Sequence, residues 1–266
     1  MKISRKKVKS LLTKSNLPEA DYVINPYTGC QHGCIYCYAD FMKRFTGHVG
    51  EKWGEFVDIK ENGPETIKKI NPNSTIVIGS VTDPYQSIEK KEEITRKCLQ
   101  KLTPHQPKIE IITKSSLILR DINLLKQFNN LKVGLSIGIL NDRYAKELEP
   151  NAPSPTQRLE TIKKLKKAGI HTYLFMSPIF PEFSEIENLI DEAKNYVDEF
   201  YFENLNVRAN NQKAILDFVA KHKPELVNFY RNLAKNRGYW DKIEKDIREK
   251  CDEEGIKYKI FFHHGK

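Results

Sequence analysis

The chain has 266 residues, a formal net charge of +9 at pH 7 and 39% hydrophobic residues. This length suits one large α/β domain, and the hydrophobic content, which includes 13 Phe and 12 Tyr, excludes a wholly disordered chain. The charge fits a basic face for phosphate or nucleic acid. The same net charge is equally consistent with lysines that are spread over solvent-exposed helices, because net charge does not say where the charge lies.

The first residues, MKISRKKVKSLLTKS, are basic but lack the apolar core of a signal peptide, and no segment has the length of a membrane helix. Three of the five cysteines are crowded together. An odd number of clustered cysteines without an export signal argues for metal binding in a reducing compartment, not for disulfides. We therefore expect a cytoplasmic protein with no membrane partner.

Short apolar segments alternate with longer amphipathic ones along the first three quarters of the chain. The predicted strands, rich in Val, Ile, Tyr and Phe, are Tyr22–Ile24, Thr75–Ser80, Lys108–Thr113, Lys132–Ile137, His171–Ser177 and Asp198–Phe202. The predicted helices are Gly63–Ile70, Lys90–Leu102, Leu117–Phe128, Thr156–Ala168 and Ser184–Tyr196. This alternation predicts βαβ units, which right-handed crossovers would curl into a partial (β/α)6 TIM-type barrel over residues 1–205. The active site of such a fold lies on loops at the C-terminal ends of its strands.

The pattern changes after Asn204. Three further helices and a closing strand are predicted there: Gln212–Lys221, Pro224–Asn236, Tyr239–Glu253 and Lys257–Phe262. We expect residues 206–266 to form a C-terminal helical extension that packs on the barrel. Trp240, Phe261 and Phe262 are expected to help close it.

The crowded cysteines directly follow the first predicted barrel strand, with the spacing C-x3-C-x2-C at Cys30, Cys34 and Cys37. Thiolates bind iron–sulfur clusters, and ligands this close in sequence can hold one cluster from one side. Gly29 and Gly33 permit the turns that such a loop needs. Three ligands are one short of the four irons in a cubane, which leaves one iron open to an outside ligand.

Two other interpretations of the cysteines stay open. A structural zinc ion needs four ligands, and His32 is a possible fourth, although structural zinc usually draws its ligands from two separated knuckles. A ferredoxin-like electron carrier needs a fourth cysteine, for which only Cys98 and Cys251 remain. Both of these lie on apolar helix faces and are most simply core thiols.

Further polar motifs follow at the ends of the later predicted strands. They are Thr82–Gln86 (Thr-Asp-Pro-Tyr-Gln), Thr113–Ser115 (Thr-Lys-Ser), Ser136–Gly138, Glu149–Pro153, Arg158–Glu160 and Ser177–Pro181. Together with the cysteine loop, this order of motifs resembles the spore photoproduct lyase–like branch of the radical S-adenosylmethionine (SAM) superfamily, often labelled DNA repair photolyases. The resemblance runs from about Tyr22 to Phe202.

The resemblance implies a [4Fe–4S] cluster on the three cysteines, with the amino and carboxylate groups of SAM on the open iron. It also places Tyr36 and the backbone around Pro178 near the adenine. From their chemistry, Lys114 could neutralise the SAM carboxylate and Arg158 could grip it bidentately, unless Arg158 pairs with Glu149 or Glu160. The remaining predicted contacts are hydrogen bonds from Ser115 and Ser136 to the carboxylate or ribose, and from Thr82 or Asp83 to the ammonium or ribose.

The implied reaction begins when an electron donor, such as a flavodoxin or ferredoxin, reduces the cluster. Reductive cleavage of SAM then gives a 5′-deoxyadenosyl radical that abstracts hydrogen from a substrate. Spore photoproduct lyase uses an extra cysteine near the end of the second strand, and residues 79–85 of this chain contain none. Tyr85 is an alternative hydrogen donor, or else a packing residue.

Three functions remain on these grounds. The chain is a radical SAM enzyme that acts on nucleic acid, a radical SAM enzyme that acts on a small molecule or peptide, or a non-catalytic metal-binding module.

Overall fold

The computed structural model describes residues 1–263 of the chain. The strands are β1 Lys2–Lys6, β2 Leu12–Lys14, β3 Tyr22–Ile24, β4 Tyr27–Thr28, β5 Phe56–Lys60, β6 Thr75–Ile78, β7 Lys108–Thr113, β8 Leu131–Ser136, β9 His171–Ile179, β10 Glu199–Asn204 and β11 Tyr258–Ile260. The α-helices are α1 Lys43–Thr46, α2 Glu89–Glu92, α3 Ile94–Leu102, α4 Ile122–Leu125, α5 Asp142–Leu148, α6 Pro155–Lys167, α7 Ile186–Ala193, α8 Gln212–His222, α9 Val227–Arg231 and α10 Arg237–Glu253.

The main sheet has eight strands in the order β11-β10-β9-β8-β7-β6-β3-β2. Neighbours from β3 to β11 pair in parallel, whereas β2 pairs antiparallel with β3. The carboxyl ends of the parallel strands therefore meet at one edge of the sheet, where the cysteine loop and the later motifs emerge. A separate three-stranded sheet has the order β1-β5-β4, and its strand β4 directly precedes the cysteine loop.

All six predicted barrel strands form, with bounds that differ by up to two residues. The predicted closing strand is also present as β11, but it pairs with β10 and extends the edge of the sheet. Within residues 1–263 the edge strands β2 and β11 do not pair, so the α/β sheet is mixed and open, not a closed barrel.

Helix α6 shows why local signals predicted some elements well. Ser154 and Gln157 form a capping box, Pro155 occupies the first turn, and Gly169 follows the end of the helix. By contrast, the predicted helix Lys90–Leu102 is broken between α2 and α3 at Glu93, which has φ +54°. Sequence periodicity did not reveal this break, because the apolar spacing of Ile94, Cys98 and Leu102 lies wholly within α3. Helix α2 contains no apolar residue and buries Glu89 and Glu92 instead.

The C-terminal segment shares the core of the rest of the chain. Phe218 on α8, Tyr230 on α9 and Trp240 on α10 are buried in one hydrophobic cluster with residues of the main sheet. Phe183, in the loop after β9, lies with its ring centroid 5.1 Å from that of Phe218. The division at residue 205 stays a prediction.

None of the helices in residues 1–263 combines the length and the apolar composition needed to cross a bilayer.

Candidate active site at the cysteine loop

The cysteine loop begins directly after β4, a strand of the three-stranded sheet, and turns sharply at Gly29. Gly29 has φ +85°, and a Cβ atom there would lie 2.4 Å from the backbone oxygen of Phe56. Only glycine fits both this backbone conformation and this close approach. The Gly33 N–H donates to Cys30 O (3.2 Å) and the Cys37 N–H to Cys34 O (3.2 Å), so two successive turns present the three thiols.

Residues from the loop after β6 fasten the cysteine loop. The Gln31 N–H donates to Oε1 of Gln86 (2.8 Å), and Nε2 of Gln86 donates to Gly29 O (3.3 Å). The Thr82 hydroxyl also donates to Gly29 O (2.5 Å) and accepts from Gln86 (3.0 Å). Thr82 was expected to contact SAM, but in the structure its hydroxyl forms hydrogen bonds with the protein itself.

Asp83, the other predicted partner of the SAM ammonium or ribose, is likewise engaged by the protein. Its carboxylate accepts from the Thr113 hydroxyl (2.6 Å) and from the Tyr85 and Lys114 N–H groups (2.9 and 2.7 Å). Nδ1 of His32 lies 3.4 Å from the same carboxylate. Asp83 therefore ties the ends of β6 and β7 to the cysteine loop.

All three loop cysteines are free thiols; Cys30 is buried, while Cys34 and Cys37 are half-buried. Burial raises the pKa of Cys30 to about 12 and that of Cys37 to about 11. Burial also raises the pKa of Cys34, but Lys114 acts in the opposite direction. Three soft donors on one short loop beside a cation fit an iron–sulfur cluster, which binds thiolates.

His32 lies on the cysteine loop, next to Asp83. Within residues 1–263, no three His, Cys, Asp or Glu side chains are grouped so that they could hold a single metal ion, and this applies to the three loop thiols as much as to His32. Burial lowers the pKa of His32, and its ring faces Asp83. His32 is therefore placed as a polar loop residue.

A buried charge cluster lies beside the cysteine loop, with Glu149 at its centre. Glu149 accepts hydrogen bonds from the hydroxyl of Tyr36 and from the guanidinium of Arg158, and lies 3.8 Å from Nζ of Lys114. Burial alone would lower the pKa of Lys114, but Glu149 and then Cys34 outweigh it and leave that pKa raised. An ammonium at this place thus neighbours both the Glu149 carboxylate and the Cys34 thiol.

Arg158 is turned into the protein and not towards an open site. Its side chain is 1% exposed, and it donates to Pro153 O (2.8 Å), to Ser136 O (2.9 Å) and to Glu149. This placement corrects the expectation of a bidentate grip on the SAM carboxylate, because each guanidinium nitrogen already has a protein acceptor. The alternative partner Glu149 is the one that the structure shows.

A cleft opens between the cysteine loop and the ends of β8 and β9. It is lined by Tyr36, Gly138, Ile139, Ala145, Leu148, Glu149, Pro178 and Phe180. Tyr36 and Phe180 meet edge to face with their centroids 5.5 Å apart, and a Cβ at Gly138 would lie 2.4 Å from Pro178 O. The two residues predicted near adenine, Tyr36 and Pro178, are therefore brought together beside one small cavity of about 10 Å³, and their contacts to adenine stay predictions.

The two predicted serines lie at the ends of β7 and β8. The Ser115 side chain caps the following 3-10 turn by accepting from the Leu117 N–H (3.2 Å). The Ser136 hydroxyl donates to Ser177 O (3.0 Å). Both are buried, and their contacts to SAM stay predictions.

Tyr85 is not at the cleft. It is fully buried within the hydrophobic core, and burial together with Asp121 and Glu89 raises the pKa of its phenol. This corrects the expectation that Tyr85 donates hydrogen to a substrate, since a hydroxyl with no exposed surface does not meet one. The packing alternative is the one that the structure favours.

Three residues that sequence reasoning did not assign to the site complete it. Glu149 was considered only as a partner of Arg158, and Gln86 only as part of a motif. Nδ2 of Asn211, at the start of α8, donates to Tyr36 O (2.9 Å) across 175 residues of sequence. No local signal marks Asn211, because its role exists only once the chain has folded.

The family model of the radical SAM superfamily matches residues 24–193. The chain belongs to the radical SAM superfamily. An uncharacterised protein of Methanocaldococcus jannaschii is 36% identical over 250 residues, which cover 94% of this chain and 95% of that protein. The spore photoproduct lyase of Bacillus subtilis is 24% identical over 173 residues, which cover 65% of this chain and 49% of the lyase.

Solved structures of spore photoproduct lyase share this fold. The complex with dinucleoside spore photoproduct superposes with a TM-score of 0.69 at 15% identity, over 98% of this chain and 82% of the lyase. A variant with bound S-adenosylmethionine and the same dinucleoside has a TM-score of 0.59 at 16% identity, over 83% of this chain and 66% of the variant. This radical SAM protein is thus a relative of spore photoproduct lyases, and its cofactors are those of the superfamily, a [4Fe–4S] cluster and SAM.

Proposed function

We propose that this chain is a radical SAM enzyme that abstracts hydrogen from a nucleoside unit of a nucleic acid. The observation that carries the proposal is the pairing of a three-thiol loop with a buried Lys114–Glu149 cluster at the carboxyl ends of a parallel sheet. We also propose that the open sheet over residues 1–205 works as the partial barrel of this superfamily, with residues 206–266 as its extension.

Cys30, Cys34 and Cys37 would hold the cluster. Once bound, the cluster supplies the electron that cleaves SAM reductively to a 5′-deoxyadenosyl radical. The ammonium of Lys114 would attract the SAM carboxylate, and Tyr36 and Pro178 would enclose the adenine. We assign Thr82, Asp83 and Arg158 to positioning, since their polar atoms already hold the cysteine loop and Glu149.

The relatives support a nucleoside substrate. One solved relative, a spore photoproduct lyase, is complexed with a dinucleoside photoproduct, and a relative from Pseudomonas phage M6, 26% identical over 161 residues, is named a radical SAM Nα-GlyT isomerase. The net charge of +9 is compatible with a polyanionic partner. An external donor such as a flavodoxin or ferredoxin would deliver the electron. Thiols that must stay reduced support a cytoplasmic location.

The assignment is tested by anaerobic reconstitution with iron and sulfide. We expect about four irons per chain and release of 5′-deoxyadenosine that requires both SAM and dithionite. Cys34→Ala should abolish this release, because one cluster ligand is lost.

Cys98→Ala is the matched control, since Cys98 is a fully buried core thiol on α3 and should keep both iron and product release. Full activity of Cys34→Ala would refute the assignment of the loop.

A further inference from the structure

Exposed aromatic side chains are concentrated directly after the cysteine loop. Of the eight large hydrophobic residues that are exposed within residues 1–263, four lie between positions 38 and 49. Three of them, Tyr38, Phe41 and Phe45, form what we call the aromatic ridge, with exposed fractions of 38%, 36% and 76%. A single exposed apolar side chain is ordinary, but a contiguous group marks an interaction surface.

The rings of the aromatic ridge touch one another in a row. The centroids of Tyr38 and Phe41 are 6.5 Å apart with nearly parallel planes (24°), and those of Phe41 and Phe45 are 6.2 Å apart, edge to face. The spacing of three and four residues along the 3-10 turn Tyr38–Met42 and α1 puts all three rings on one side. The ridge therefore offers flat apolar faces to the outside.

Two contacts tie the ridge to the loops at the carboxyl ends of β6 and β10. The Tyr38 hydroxyl donates to Ser80 O at the end of β6, and Asn210, in the loop after β10, donates to Asp40 (3.4 Å). Tyr38 follows Cys37 directly, and Asn211 holds Tyr36 O. The ridge thus begins directly after the cysteine loop, two residues along the chain from Tyr36.

The charge around the ridge is mainly positive. Asp40 is balanced by Lys43 at 2.6 Å. Arg44 and Arg208 are exposed, and neither forms an ion pair with another residue of the described range 1–263. The nearby carboxylate of Glu203 is engaged by His263 at 2.9 Å, so the two guanidinium groups remain for an anionic partner.

We propose that the aromatic ridge is a stacking platform for unpaired bases of the nucleic acid, an inference that rests on the proposed function. Sites for single-stranded nucleic acid combine aromatic faces with basic groups that follow the phosphates. A stable protein partner would need about 20–30 residues a side, which three rings do not supply. Bases stacked on the ridge would be led towards the cleft of Tyr36.

The ridge is tested by measuring how the reconstituted protein binds a fluorescent oligothymidylate of about 15 nucleotides. Fluorescence anisotropy at low salt reports the binding. Phe41→Ala and Phe45→Ala should each weaken binding about five-fold or more, because stacking on one ring is lost. Phe45→Trp should retain binding. The same sequence in a perfect duplex should bind more weakly, since its bases already stack on one another.

Tyr196→Ala is the matched control. Tyr196 is also 37% exposed, but it precedes β10 and so lies at the opposite end of the parallel strands. Its replacement should change affinity by less than about two-fold. Ridge variants that bind like the parent protein, or a parent protein that does not bind the oligonucleotide, would overturn the proposal.

A second measurement separates this proposal from the others. Dithionite-driven release of 5′-deoxyadenosine without oligonucleotide should be the same in the ridge variants and the parent. If the parent releases none, the proposed function fails whatever the anisotropy shows. If the ridge variants keep oligonucleotide affinity but lose reduction by flavodoxin, the ridge binds a redox protein and the nucleic-acid proposal is wrong.

Discussion

At the scale of single residues, Glu149 has the largest electrostatic role in the site. Burial would raise its pKa, but Arg158 and Lys114 outweigh burial and hold the pKa below its ordinary value. The carboxylate therefore stays charged and balances two cations that have little access to water. It also holds the Tyr36 hydroxyl, so one side chain orients both the aromatic wall of the cleft and the ammonium beside Cys34.

Replacing Glu149 by Gln keeps the shape of the side chain and removes its charge. We expect a loss of about 3 kcal/mol in the free energy of unfolding, because buried Arg158 is left without its counter-ion. Urea unfolding at neutral pH measures this loss of stability.

Glu147→Gln is the control for this change. Glu147 is more exposed and pairs with Lys221 and His222 at 2.8 and 2.9 Å. Its replacement should cost less than about 1 kcal/mol. Equal losses in the two variants would contradict the role given to Glu149.

At the scale of elements, β8 and β9 approach each other closely at a single glycine. A Cβ atom on Gly134 would lie 2.1 Å from Cζ of Tyr173, whose hydroxyl donates to Glu110 (2.7 Å). The ring is fully buried and hydrogen-bonded, so it cannot easily move aside. Gly134 thus leaves the room that the Tyr173 ring occupies in the strand pair whose ends carry Ser136 and Pro178.

We expect Gly134→Ala to destabilise the protein by about 3 kcal/mol through overpacking. Gly238→Ala, in the first turn of α10, meets no atom within 4 Å and should leave stability unchanged or raise it by up to about 0.5 kcal/mol. Thermal and urea unfolding measure the stabilities of the two variants. If Gly134→Ala leaves the free energy of unfolding unchanged, the Tyr173 ring must have another position available.

Elements with local signals were the ones that could be predicted. The predicted ends of α6 follow from Pro155 and Gly169, and the six central strands follow from short apolar segments. The sheet β1-β5-β4 was not predicted, although Phe56–Lys60 alternates apolar and polar residues towards its end. Its strand β1 is basic and largely exposed, so only pairing with β5 makes it a strand.

At the scale of the whole molecule, the C-terminal segment supports the wall of the cleft. Phe218 packs against Phe180 with centroids 6.3 Å apart, and Phe180 in turn packs on Tyr36. The Tyr230 hydroxyl donates to Pro181 O (2.7 Å). Residues far along the chain thus hold the loop after β9 in place.

A chain cut to residues 1–205 should therefore lose cooperative unfolding, because it exposes the core around Phe180 and Phe183 and frees the edge of β10. Near-UV circular dichroism and urea titration of the truncated chain measure this. A sharp, reversible transition in that chain would instead show that residues 1–205 are a domain that folds alone.

The sequence by itself determined the six central strands and, through motifs in a fixed order that resemble the superfamily, the cofactors, since these depend on local apolar segments and on spacings of a few residues. The assignment of Cys30, Cys34 and Cys37 as cluster ligands rests on the same spacing and stays a prediction. Only the tertiary structure decided that Arg158 binds Glu149, that Tyr85 is buried and that the aromatic ridge is exposed. Tyr36 and Glu149 are 113 residues apart. Contacts over such separations arise from how the sheet brings its loops together, and no local pattern in the chain encodes them.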